Sequence, residues 1–326
     1  MTRLGIILLS MVLLFSFNAH SAHHAQAKDH QKAVLVTGSS SGLGLKMTQV
    51  LSKNGFFVYA GVLHKSEMKA MNAMDNVTAV QFDVRNQSEI DAAVKFVEQQ
   101  GRGLYGLINN AGVAVFGPMI ELPLEQLQYQ MDVNVFGPYR VTQAFAPMII
   151  KSKGRIATTG SISGILSSAM LGAYSMSKHA IEAYTDALSA EMARFDVTVH
   201  VIEPGSYASN IGNAANELLK ETNYWPDDSQ YKQERDAFIA VLEQFDKGPD
   251  PLDVALAALD IMQSDSPKRR YMVTATLGQA DATIRRQISK MLELNNDQAH
   301  QFERARLIEM LDEEIEKTAK SKPAEK

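Results

Sequence analysis

The sequence has no cysteine among its 326 residues. That excludes disulfides, thiolate catalysis and cysteine-based zinc sites, and it leaves the redox compartment open. Long basic clusters are missing as well. No run exceeds Lys268-Arg269-Arg270, and the net charge is −5, so nucleic acid is not an expected partner. No self-similarity at a solenoid period is present. Extended apolar runs are confined to residues 4–17, interrupted only by Gly5, Ser10 and Ser16. A run of about fourteen residues is short for a membrane span and suits a signal-peptide core. Ala25-Gln26-Ala27 fits the small-residue cleavage pattern, and an uncleaved anchor is the alternative. Residues 1–27 are therefore expected to be a signal peptide or membrane anchor, with the domain exported (periplasmic or lumenal) or anchored. His20, His23, His24 and His30 read as part of a polar spacer, and no metal site is expected.

What remains is ordinary for a globular chain: 45% hydrophobic and 21% charged residues. The length allows one large domain or two small ones. Short buried-strand patterns occur at 33–37, 56–62, 77–82, 104–108, 155–159, 197–202 and 270–274. Helical patterns lie between them, including 87–100, a long one at 124–150, and 252–263. Strands alternating with helices predict a parallel sheet covered on both faces. Residues 206–250 carry Tyr207, Tyr224, Trp225, Tyr231, Phe238 and Phe245 among polar residues. That segment is too long for a plain connector and is expected to be a lid or a packed insertion. Two further helical patterns, at 280–294 and 299–317, precede a charged tail.

Three stretches carry chemistry. The first is the turn after strand one, Gly38-Ser39-Ser40-Ser41-Gly42-Leu43-Gly44. A glycine-rich strand-to-helix turn lets backbone N–H groups approach a pyrophosphate at the helix N-terminus. The second is the end of strand two, Val62-Leu63-His64-Lys65. It lacks the acid that would bind an adenosine ribose. His64 and Lys65 could instead meet a phosphate, which favours NADP over NAD; two solvated loop residues are the alternative. The third is Ser161, with Tyr174 thirteen residues on and Lys178 four beyond that. Residues four apart on a helix share a face. A Lys ammonium near a phenol is expected to lower the Tyr pKa toward working pH. Ser161 can bond the same substrate oxygen. Taken singly, Tyr174 and Lys178 would read as a helix-surface pair, Ser161 as a cap, and Asn134 as a packed polar group.

Together these residues carry a resemblance. TGSSSGLG at 37–44, NNAG at 109–112, Asn134, Ser161, Tyr174 with Lys178, and Pro204-Gly205 stand in the order and spacing of the short-chain dehydrogenase/reductase family. The chain resembles that family over about residues 31–274. The phrases INNAGVAVFGP and VIEPGSYASNI look like its hydroxysteroid and retinol branch. The resemblance implies a Rossmann-type doubly wound α/β sheet of about seven strands. Residues 28–276 would form the catalytic domain, and 277–326 a helical C-terminal extension. It implies a catalytic set of Asn134, Ser161, Tyr174 and Lys178, with Asn134 holding a water that links Lys178 to solvent and Lys178 touching the nicotinamide ribose. Gly38, Ser40, Gly42, Leu43 and Gly44 would line the phosphate turn. Asp83 and Val84 would flank the adenine, Asn110 and Gly112 would lie behind the ribose, and Pro204 and Gly205 would open the nicotinamide side. Ser209 fills the place of a Thr that bonds the carboxamide. Ser41 departs from the basic residue that many NADP users carry there. The implied reaction is hydride transfer between NAD(P) and an alcohol or carbonyl, in a pocket to which Val113, Met119, Met170 and Leu171 would contribute if they are not core. Relatives pair as homodimers or homotetramers through the helices carrying Asn134 and Tyr174. A nicotinamide-binding regulator without turnover, and an epimerase or dehydratase of the same family, are the competing readings.

Overall fold

The computed structural model describes residues 31–242 and 244–320. The expected signal or anchor segment, with its histidines, lies outside the described residues. The chain begins with β1 (Ala33–Val36), α1 (Gly42–Lys53), β2 (Phe57–Val62), a 3-10 turn and α2 (Met68–Asn72). Next come β3 (Val77–Gln81), α3 (Gln87–Gln99), β4 (Gly106–Asn109) and α4 (Leu124–Met131). A π turn (Asp132–Phe136) leads into α5 (Gly137–Ser152), β5 (Arg155–Thr159), α6 (Gly172–Met192) and β6 (Thr198–Pro204). The chain continues through α7 (Ile211–Thr222), α8 (Lys232–Leu242), α9 (Leu252–Gln263), β7 (Arg270–Val273), α10 (Leu277–Asn295) and α11 (Arg304–Lys320).

The strands form one parallel seven-stranded sheet in the order β3-β2-β1-β4-β5-β6-β7. Its two faces are fed by strand alternation. Val34 and Val36 face α1 and α9, packing with Met47, Leu51, Ala258 and Ile261. Ala33 and Leu35 face α3 and α5, packing with Ile90, Val97, Val141 and Phe145. Both faces are covered, so β1 is buried along its whole length. Each fully buried Leu or Ile of this core contributes roughly 1.5–3 kcal/mol by leaving water. The sheet order reverses between β1 and β4. Connections from those strands diverge there and leave a crevice at their carboxyl ends.

One feature departs from the sequence expectation, and two expected ones, the packed insertion at 206–250 and the helical extension, take definite form. The long helix at 124–150 is interrupted by the π turn, which holds Asn134. Residues 206–250 are neither a bare loop nor a detached lid: α7 and α8 pack there, with Ala215 and Leu242 against Phe116, and Leu219, Tyr224 and Trp225 against Val115. The extension after β7 is bound to the sheet end. Thr276 caps α10, Thr283 is buried, and Lys290 Nζ donates to the Ile165 carbonyl at 2.7 Å. α11 by contrast exposes Ile308, Leu311 and Ile315. No helix among the described residues is long and apolar enough to cross a membrane.

Candidate active site

The glycine turn after β1 is shaped by backbone conformations that side chains resist. Gly38 and Gly42 have φ of +66° and +52°, in the left-handed region that favours glycine. Gly44 is needed for space instead: a β-carbon there would lie 2.1 Å from the Gly38 carbonyl oxygen. Asn110, just past β4, staples the turn. Its Nδ2 donates to the carbonyls of Thr37 (3.0 Å) and Gly38 (3.2 Å), and its Oδ1 accepts from Thr159 Oγ1 (3.2 Å). Thr37 Oγ1 accepts the backbone N–H groups of Asn110 and Ala111, both at 2.9 Å. Thr37 and Thr159 are thus site-forming residues whose roles sequence reasoning missed, although Thr37 lies in the motif it singled out.

This turn forms one wall of a cleft. Gly38, Ser40, Gly42, Leu43, Gly44, Asn110, Gly112, Ser161, Tyr174, Lys178, Pro204, Gly205 and Ser209 all line it. Asp83 and Val84 line an adjoining cavity that shares Gly38 and Gly112. Leu63, Arg85 and Tyr129 also face that cavity. Arg85 is neutralised locally by Asp83 at 2.6 Å, and it holds the Asp83 carboxyl below its usual range against the opposing effect of burial. His64 lines neither space. It caps the 3-10 turn, and its backbone N–H donates to Glu67 Oε2 at 2.9 Å. Ser209 backs the glycine turn closely, since a β-carbon on Gly42 would meet its Cα and Cβ at 3.2 Å.

Ser161 follows β5 and caps a short 3-10 turn, its Oγ accepting the Ser163 N–H at 3.0 Å. Tyr174 and Lys178 project from the first turns of α6. The Tyr174 hydroxyl bonds to the Ser161 side chain. Lys178 Nζ sits 5.6 Å from the centre of the Tyr174 ring and donates to the Thr159 carbonyl at 2.8 Å. The expected lowering of the phenol pKa is not what the geometry produces. Burial raises the Tyr174 pKa above its ordinary value, with the Ser161 bond opposing only in part. Burial also depresses Lys178 to about 8. The phenol therefore holds its proton at neutral pH, beside a lysine that is still mostly cationic. Two hydroxyls and an ammonium then face one cleft, a set that can donate hydrogen bonds to a single substrate oxygen.

Asn134 lies below this floor and is 3% exposed. Its Oδ1 accepts the Val113 N–H (2.8 Å), and its Nδ2 donates to the Val113 carbonyl (3.0 Å) and to Ser177 Oγ (3.2 Å). The π turn gives Asn134 this aim, an extra residue re-aiming a side chain. Asn134→Ala is expected to strand the Val113 N–H, while the Val113 carbonyl keeps Gln130 Nε2 at 2.9 Å, and to cost about 1–3 kcal/mol. Calorimetric melting checks this, and an unchanged Tm would refute it.

Of the residues expected to form an apolar pocket, Leu171 packs alongside Tyr174 with Phe116, Ile211 and Phe238. Val113 belongs to the sheet core and Met170 to the Trp225 cluster. Met119 is 45% exposed. Phe116, whose ring lies 6.3 Å from that of Tyr174, was missed because a lone Phe in a loop carries no periodic signal. Among the described residues no group of His, Asp and Glu could hold a metal ion.

The sequence model of short chain dehydrogenases matches residues 32–220. The chain belongs to the short-chain dehydrogenase/reductase family. It is 35% identical over 255 residues to the 3-amino-tetrahydro-pyrrolizinone reductase of Xenorhabdus hominickii, covering 74% of this chain and 87% of that one. It is 36% identical over 214 residues to the estradiol 17-beta-dehydrogenase 2 of Rattus norvegicus, covering 64% of this chain and 56% of that one. That relative agrees with the hydroxysteroid branch read from the sequence. A short-chain dehydrogenase from Streptomyces avermitilis shares the fold with a TM-score of 0.68 at 25% identity, covering 81% of this chain and 94% of that one. As a family member the protein is an oxidoreductase of the class acting on CH–OH groups.

Proposed function

We propose that the protein interconverts an alcohol and a carbonyl on a lipophilic substrate, with Tyr174 as the general acid and base. The observation that carries this reading is the convergence of Ser161, Tyr174 and Lys178 on the cleft that the glycine turn opens into. A dinucleotide fits that cleft. The turn at Gly38, Gly42 and Gly44 brings backbone close to a pyrophosphate, and a β-carbon on Gly44 would fill the space. Asp83, Val84 and Leu63 would flank an adenine, and Asn110 and Gly112 a ribose. When bound, the nicotinamide supplies or accepts the hydride.

The chain's own residues handle the proton and the oxygen. Ser161 and Tyr174 hold the substrate oxygen between their hydroxyls. In reduction Tyr174 releases its proton to that oxygen; in oxidation it takes one back. The Lys178 ammonium stabilises the phenolate left behind. Leu171, Ile211, Phe116 and Phe238 around Tyr174 make an apolar surround, which supports a lipophilic substrate and excludes water from the oxygen. The test is loss of NADPH or NADH absorbance on a panel of ketones and aldehydes. Binding without turnover on any of them would instead support a regulator.

The finer readings belong to the same proposal. NADP preference rests on the missing acid after β2, where Leu63 stands, and on Lys65 and His64 nearby. The Glu67 carboxylate on the His64 N–H opposes it. Calorimetric titration is expected to give at least about tenfold tighter NADPH than NADH, a difference of about 1.4 kcal/mol; equal or reversed affinities would overturn the preference. Association as a homodimer or homotetramer draws support from Phe136, Tyr139 and Met176, large apolar groups exposed on the π turn, α5 and α6. Export or membrane anchoring rests on residues 1–27 alone.

A further inference from the structure

Glu182 stands four residues beyond Lys178 and eight beyond Tyr174 on α6, so it extends the stripe that faces the site. Its side chain is 15% exposed. Glu203 is the residue of β6 just before Pro204-Gly205, and it is 3% exposed. These two carboxyls face each other within hydrogen-bonding range. One cation serves both: the Arg270 guanidinium, on β7, lies 3.3 Å from Glu182 Oε2 and 3.9 Å from Glu203 Oε1. Arg270 is itself shared with Asp186 at 2.7 Å, and Asp186 also binds Arg269. Each glutamate leaves its Oε1 buried with no protein donor. Buried acceptors without donors are costly. Two like charges sharing half a cation in a dry site are costlier still.

The pair sits where three parts of the site meet. Glu182 Oε1 lies 3.0 Å from where β-carbons on Gly160 and Gly164 would be. Those glycines bracket Ser161 and its 3-10 turn. Glu203 continues into Pro204, whose carbonyl is 3.5 Å from Ser161 Oγ. Lys178 is the charged neighbour on the site side and feels Glu182.

We propose that Glu182 and Glu203 share one proton, and that the single negative charge left on the pair is the buried counter-charge that keeps Lys178 an ammonium. The pair positions and does not touch substrate. The groups that face it are Lys178 and Asp186 from α6, Glu203 from β6 and Arg270 from β7. Burial, helped by repulsion from Glu203, pushes Glu182 up to about 8, and burial pushes Glu203 up as well. Glu182 is thus the protonated partner at neutral pH. The inference rests on the proposed function only for the role of Lys178; the shared proton is independent of it.

Isosteric variants of the full chain test both halves. A carboxyl with a raised folded pKa holds a proton that the unfolded chain has released above about 4.3. The parent's stability therefore falls as pH rises toward about 8. Glu182→Gln removes that loss, so its Tm relative to the parent should climb by about 3 °C between acid and mildly alkaline pH. Parallel melting curves at every pH would overturn the shared proton. In carbonyl reduction, Glu182→Gln should move the alkaline limb of kcat/KM down by at least about half a pH unit, because the pair's charge is then confined to Glu203 and the charge that Glu182 takes on as pH rises toward about 8 no longer reaches Lys178. Glu203→Gln should move it the other way, because Glu182 then ionises unopposed beside Lys178. A structural role would shift both variants alike or lower kcat/KM at all pH values without moving the limb, and either result would overturn the counter-charge. Should Glu182→Gln fail to fold, melting of Glu203→Gln decides the shared proton. If the parent reduces no carbonyl, the proposed function fails while the melting curves still judge the pair.

Discussion

Tyr174→Phe is expected to cut turnover by about 10³-fold while leaving dinucleotide affinity within about threefold. The substitution removes one oxygen and keeps the ring. The ring's place between Phe116 and Leu171 is held by apolar contact, so the fold should survive unchanged. What goes is the hydroxyl that bonds Ser161, carried by the phenol four residues before Lys178. Tyr207 also lines the cleft, but nothing holds its hydroxyl toward Ser161. Ser161→Ala should cost less, because Tyr174 can still reach the oxygen. Rates with a saturating ketone check the order of the two variants. If Tyr174→Phe turns over as fast as the parent, Tyr174 is not the acid. The same chemistry sets an alkaline limit. Lys178, depressed to about 8 by burial, loses its ammonium as pH rises through that value, so the phenolate left by proton transfer loses its stabilising charge. Reduction should decline above about pH 8 for this reason, not near the ordinary lysine value.

Much of this was legible in the sequence because local rules and tertiary demand agree. The buried strands are β-branched runs with turn residues at their ends, so their places were readable to within a residue or two. Tyr174 and Lys178 were readable as one helix face from spacing alone. Disagreement arises where a distant partner decides. Local propensity runs a helix straight through 124–150. The π turn exists because Asn134 is held by Val113 and Ser177, contacts that no periodicity reports. In 206–250, Ile211, Ala215, Leu218 and Leu219 do repeat at helical spacing, but the many polar and aromatic neighbours obscured it. His64 was identifiable as a candidate phosphate contact near the strand end. Its engagement with the 3-10 turn and Glu67 depends on a chain direction that sequence does not specify. The phenol pKa was misjudged because a neighbouring lysine is visible in sequence and burial is not. The Glu182–Glu203 pair joins a helix to a strand end, and each half reads alone as an ordinary surface acid.

Gly44→Val is expected to abolish measurable dinucleotide binding, raising Kd by about 100-fold or more, equivalent to about 2.7 kcal/mol. The turn contains glycines of two kinds. Gly38 and Gly42 are required by their positive φ. Gly44 lies in α1 at ordinary dihedrals and is required only because nothing else fits. A β-carbon there would lie 2.1 Å from the Gly38 carbonyl oxygen and 2.5 Å from Asn110 Nδ2. Neither neighbour is the free end of a flexible chain. The oxygen is backbone, and the amide is committed to Thr37, Gly38 and Thr159. Relief must therefore come from moving the turn off Asn110, which displaces the N–H groups that would meet the pyrophosphate. Overpacking of this kind costs about 1–3 kcal/mol, so Tm should also fall. Gly55→Ala provides the contrast. Gly55 has φ of +88° and no atom within 4 Å of a built β-carbon, so alanine there adds backbone strain of about 1 kcal/mol and should leave binding untouched. Titration of both variants with NADPH and NADH separates the two effects. Should Gly44→Val bind either dinucleotide as tightly as the parent, close approach at this turn is not what holds the cofactor, and the cleft must be entered some other way.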